Sequence, residues 1–140
     1  MIKTVVAAAI MAATVSAPTG ADTVADLRWN KRVVIVFAKA GDARVAEQRR
    51  GLSGNKADLA ERDLLAFAVV DGQIEPIFGD PPAGETAETL RQRYDIAAAT
   101  PFTALLIGKD GGVKWRGDRP IGPSELYGVI DAMPMRRSGK

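Results

Sequence analysis

Val33-Val34-Ile35-Val36-Phe37 decides the architecture: it is an unbroken apolar run of β-branched and aromatic residues with no polar alternation. Such a run is a strand covered on both faces, and strands of that kind belong to sheets with helices above and below. Leu64 to Val70 repeats the pattern and closes on Asp71-Gly72, a turn signal. Between the two runs, Asp42 is placed to cap a helix from Ala43 to Leu52, with Val45 and Leu52 on one face and Gly51 and Gly54 marking its end. Asn55 to Arg62 reads as a second short helix. The expected unit is strand, helix, parallel strand.

Further along, the Asp-Pro-Pro-Ala cluster between Gly79 and Gly84 forbids regular structure, and Thr86 caps a helix whose Ala87, Leu90 and Tyr94 share a face. Thr100-Pro101 then introduces Phe102 to Ile107. Lys109-Asp110-Gly111-Gly112 turns the chain into Val113-Lys114-Trp115-Arg116, an antiparallel hairpin. Gly122-Pro123 opens a last helix in which Leu126, Val129, Ile130 and Met133 form one stripe, and Pro134 stops it. That stripe is expected to pack on strands containing Ile35 and Leu106, and the tail from Met135 to Lys140 to fray. The order β-α-β-α-β-β-α is an α/β fold of thioredoxin-like topology, a central mixed sheet of about four strands flanked by helices. Residues 22–140 read as one domain, without repeats or linkers.

Met1 to Ala21 carries a lone early Lys3, an apolar, alanine-rich run from Val5 to Val15, and small residues before Asp22. This is signal-peptide grammar. Cleavage after Ala21 is preferred over cleavage after Ala17, which would leave Pro18 directly behind the cut. The apolar run is shorter than the roughly 20 residues a bilayer span needs. The mature chain is therefore expected to be periplasmic or secreted, with no membrane span after signal cleavage.

The chain of 140 residues contains no cysteine and no histidine. That removes thiol–disulfide exchange, Cys/His zinc sites, cysteine nucleophiles and histidine bases. It also makes the fold indifferent to reductant. The net charge is +2, with basic residues spread along the chain rather than clustered, so no nucleic-acid partner is expected. Asp71, Asp80 and Asp110 lie on separate turns without calcium-loop spacing. Neither a metal nor a cofactor is expected.

A site, if present, belongs where redox-active thioredoxin-like proteins keep theirs, between the first strand and its helix. Here that stretch supplies Lys39, Asp42 and Arg44. Asp42 reads first as a cap, and alternatively as the border of a ligand cleft. The second half of such a site is the loop before the third strand. It offers Thr100, Pro101 and Thr103; Thr103, rather than Pro101, stands at the offset where thioredoxins carry a cis proline. Lys109 to Gly112 lacks the spaced glycines and the Lys-Ser/Thr ending of a phosphate loop. Lys114, Arg116 and Arg119 read as a solvated basic face or a basic stripe, and Trp29 and Trp115 as plugs of the core or of a sheet edge.

Leu27-Arg28-Trp29, Val36-Phe37-Ala38, Leu105 to Lys114 and Ile130 to Arg137 together resemble the DUF4174 family, a thioredoxin-like domain of unknown function. The resemblance runs from about Asp26 to Arg137. It implies small exported bacterial proteins and related domains in animal extracellular matrix proteins with sushi repeats or coiled coils. It implies no reaction and carries over no catalytic residue. A non-catalytic module binding a periplasmic or extracellular protein or peptide is the leading expectation. The alternative is a cysteine-independent enzyme using Lys39, Asp42 and Thr100, or a peroxiredoxin-like relative, since Leu106 to Gly111 also resembles the peroxiredoxin strand and hairpin.

Overall fold

The computed structural model describes residues 22–133, so the expected signal segment and the tail from Pro134 lie outside the described residues. A single 3-10 turn, Val24–Leu27, precedes β1 (Arg32–Ala38), α1 (Ala43–Ser53), α2 (Lys56–Glu61), β2 (Leu64–Val70) and β3 (Gln73–Phe78). Then follow α3 (Ala87–Tyr94), β4 (Phe102–Ile107), β5 (Val113–Gly117) and α4 (Pro123–Asp131). The strands form one sheet in the order β3-β2-β1-β4-β5. β1 and β2 run parallel; the remaining pairs are antiparallel. The expected core strands are all present, and β3 adds a fifth at the edge.

Burial on both faces of β1 and β2 follows from strand alternation. Val34, Val36 and Ala38 face α1, α2 and α4, together with Leu52, Leu59, Leu126 and Ile130. Val33, Ile35 and Phe37 face the opposite way, with Leu90 of α3 and Val24 of the 3-10 turn. The terminal helix thus meets Leu106 as expected, but not Ile35, whose side chain belongs to the other layer. The layers differ in kind. Ala38, Ala66, Ala68 and Ala104 carpet the side that carries three helices, whereas Phe37 and Phe67 fill the side covered by α3 and one turn.

β3 escapes the sequence pattern because it contains Pro76, which cannot donate to a ladder. An edge strand tolerates this, and the register shifts between Ala66 and Phe67, beside Pro76. Gly79 follows at φ +81, where an added Cβ would lie 2.8 Å from Leu65 Cδ1, so the turn out of β3 requires glycine.

Asp42 caps α1 by accepting from the Arg44 amide at 2.9 Å, and Thr86 caps α3 by accepting from the Thr89 amide at 3.1 Å. Gly122 and Pro123 open α4 as anticipated. Within α4, Gly128 is exposed and an added Cβ meets nothing within 4 Å. Gly128→Ala should therefore stabilise the protein by about 0.5–1 kcal/mol through the lower entropy of the unfolded chain, measurable by urea denaturation.

Candidate functional site

Lys39, Asp42 and Arg44 occupy the loop at the carboxyl end of β1 and the first turn of α1. Gly41, at φ +83, bends this loop, and the Ala40 amide donates to Asp71 Oδ2 at 3.2 Å. Asp42 and Arg44 form a fork: Arg44 Nε reaches Asp42 Oδ1 at 3.0 Å and Nη2 reaches Oδ2 at 2.8 Å. The Arg44 guanidinium then lies 4.8 Å above the Phe102 ring, which ties the α1 entrance to the start of β4. Lys39 makes a parallel link, its Nζ donating to Ala98 O at 3.2 Å.

Thr100 and Pro101 lie on the segment between those two anchor points, Ala98 and Phe102, and Pro101 is exposed. All peptide bonds of the described residues are trans, that before Pro101 included. Thr103 departs from this cluster. It pairs with Phe37 in the ladder and is buried on the opposite face of the sheet from Phe102. The structure thus brings five of the six candidates to one end of the sheet and turns the sixth away. A cavity of about 290 Å³ lies beside the loop, walled by Lys39, Asp42, Val45, Arg49, Val70 and Glu75.

Chemically, this end is quiet. The Arg44 hydrogen bond holds the Asp42 carboxyl below the usual carboxylate range despite some opposing desolvation. Asp42 is consequently ionised at neutral pH, unable to act as a general acid and weak as a base. Arg49 is also engaged, with Pro76 O at 2.7 Å and Glu75 at 3.3 Å. Because the folded-state value is depressed, what the Asp42 carboxylate contributes to stability is complete above the ordinary Asp range and is lost as pH falls through the depressed value. Arg44→Met should raise Asp42 toward the ordinary range in an NMR carboxyl titration and flatten the acid limb of the stability–pH curve, since the contribution of the Asp42 carboxylate is then missing at every pH. No group of three or more acidic, His or Cys residues able to hold a metal ion occurs among the described residues.

Two polar residues not singled out by the sequence organise the surroundings. Gln48, buried in α1, donates Nε2 to Ile121 O and accepts from the Ile121 amide at Oε1, both at 2.9 Å. Its signal was available: Val45, Gln48 and Leu52 fall at i, i+3 and i+7, a polar residue on an apolar stripe. Glu85, also buried, accepts from the Val24 amide at 2.8 Å, from Thr89 Oγ1 at 2.6 Å and from Arg93 at 3.0 Å.

The tryptophans part company. Trp115 is half-buried, its indole N–H donating to Glu125 at 3.1 Å, and so serves as the expected edge plug. Trp29 does not: it is 60% exposed and holds a left-handed backbone at φ 73, with its amide donating to Lys109 O at 2.6 Å.

A family model described as "Domain of unknown function (DUF4174)" matches residues 23–139. The chain belongs to the DUF4174 family. No functionally curated protein matches it. Among solved structures, this DUF4174 chain is similar to thioredoxin peroxidase I of Plasmodium yoelii, with 16% identity, a TM-score of 0.57, and coverage of 82% of this chain and 79% of that one. It is also similar to a thioredoxin-fold protein from Helicobacter pylori, with 16% identity, a TM-score of 0.50, and coverage of 79% and 74%. At such identity the likeness establishes the thioredoxin fold of the DUF4174 chain and nothing about its chemistry.

Proposed function

We propose that the chain is exported and acts as a non-catalytic binding module, holding a protein or peptide segment across the β1–α1 loop and residues 98–102. The observation that carries the reading is the Asp42–Arg44 fork. The position where redox members of this fold keep reactive sulfur is occupied by a self-paired, capping ion pair, on an otherwise complete scaffold. Exposed Ala98, Ala99 and Pro101 give a partner a surface beside it. The signal-peptide grammar of Met1 to Ala21 supports export. A peroxidase would need a thiolate for peroxide to oxidise, and this chain has none. A cysteine-independent enzyme would need Lys39 and Asp42 available, whereas Lys39 is bonded to Ala98 and Asp42 to Arg44.

The test places a photo-crosslinking residue at Thr100 or, as a control, at Ser124 in the full-length protein expressed in a Gram-negative host. A discrete adduct from Thr100 alone, recovered in the periplasmic fraction, is the expected result. Adducts of equal yield from both positions, or recovery only in the cytoplasm, would overturn the proposal. Removal of Met1 to Ala21 should abolish export and leave a folded chain.

A further inference from the structure

A second cavity, of about 300 Å³, opens at the opposite end of β1, where the 3-10 turn, the end of α3 and the β4–β5 turn meet. Val33, Ile107 and Val113 lie side by side in the sheet and form its floor, with Val24 and Leu27 above them. Arg28, Lys31 and Arg93 line the rim, Tyr94 lines the wall, and no carboxylate lines the cavity.

In the two other cavities the charged wall residues are engaged within the protein. The cavity beside α1 has its Lys39, Asp42 and Arg49 bonded within the protein. The groove beside Trp29 has Lys109 paired with Asp63 at 2.7 Å and Lys114 with Asp110 at 2.9 Å. The 300 Å³ cavity is different. Arg93 is engaged by Glu85, but the side chains of Arg28 and Lys31 and the Tyr94 hydroxyl make no hydrogen bond or ion pair among the described residues. Arg28 is nevertheless placed: its guanidinium crosses Gly111, where an added Cβ would approach Nε to 3.2 Å. Val113 is 47% exposed, an apolar surface left open beside Arg28, which has no acidic partner among the described residues, and Lys31, whose only electrostatic neighbour is the more distant Asp63 already bonded to Lys109.

An apolar floor under a cationic rim is complementary to an amphipathic anion. We infer that this cavity binds a small monocarboxylate with an apolar body, the size of a single ring or a short acyl chain, its carboxylate on Arg28 and Lys31 and its body on Val33, Ile107 and Val113. Burial pushes the Tyr94 phenol up, so it remains a neutral donor able to face the carboxylate. The site lies at the far end of the sheet from Thr100 and does not depend on the proposed partner surface.

The experiment titrates 4-phenylbutyrate into the full-length protein at low salt, followed by amide chemical shifts. Its matched probes are 4-phenylbutanol, which lacks the charge, and acetate, which lacks the body. Saturable shifts centred on residues 24–28, 33, 93–94, 107 and 111–113 are expected, with the alcohol and acetate each binding at least tenfold more weakly. The double substitution R28Q/K31Q should weaken phenylbutyrate at least tenfold while leaving the melting temperature and the Thr100 crosslink unchanged. Equal binding of acid and alcohol, unsaturable shifts, shifts centred on Trp29 and Met133, or undiminished binding by the double variant would each overturn the inference. Should that variant prove unstable, Val113→Gln supplies the same test from the floor, with weaker phenylbutyrate binding expected and unchanged binding contradicting it.

Discussion

Ile130→Ala is expected to destabilise the protein by about 2–5 kcal/mol, through lost transfer energy and the cavity left behind. Ile130 is fully buried and shares a cluster with Leu126 and Met133 of the same stripe, Leu52 of α1 and Leu106 of β4. Against a typical domain stability of about 5–15 kcal/mol, the loss is a large share of the total. Urea denaturation reads it directly. Glu125 is not a silent control on this helix, since it accepts from the Trp115 indole and from both Arg119 terminal nitrogens. Ser124, exposed and without a side-chain bond among the described residues, is the suitable one. If Ile130→Ala and Ser124→Ala prove equally mild, α4 is not docked as described.

Gln48→Leu should cost roughly 2–4 kcal/mol, although it replaces a polar side chain in the core by an apolar one of similar size. The reason is what the amide leaves behind. Ile121 is buried, and both its N–H and its C=O are satisfied by Gln48 alone across 73 residues of chain. A buried backbone group deprived of its partner costs about 1–3 kcal/mol, and here two are orphaned while leucine recovers part through burial. Faster exchange of the Ile121 amide should accompany the loss of stability. A variant as stable as the parent would mean that water or a shifted loop replaces the amide.

The parallel strands were legible because each carries an unbroken apolar run, and Asp42 and Thr86 announced two helix starts by their capping chemistry and Gly122-Pro123 a third by proline in its first turn. Pro76 hid β3, since proline excludes central strands but not edges. Trp29 escaped because no local residue pattern announces a left-handed backbone at a tryptophan. In the β1–α1 region, position in the chain was enough to place Lys39, Asp42 and Arg44 at the carboxyl end of β1. It could not foresee that Arg44 would close on Asp42 and Phe102, nor that strand alternation would carry Thr103 to the far face. Gln48 and Glu85 act through backbone groups distant in sequence, which single-chain periodicity does not encode.

The alanine carpet beneath α1, α2 and α4 has a consequence for how this sequence can drift. Enlarging Ala66, Ala68 or Ala104 by even two methyl groups would wedge a helix away from the sheet, so that side of the domain sets an upper limit on side-chain size along its floor. The opposite side is constrained in reverse, because Phe37 and Phe67 fill space that one helix and one turn cannot close over if those rings are lost. Variation along β1 and β2 should therefore carry two interleaved size rules, a ceiling at one set of alternate positions and a floor at the other.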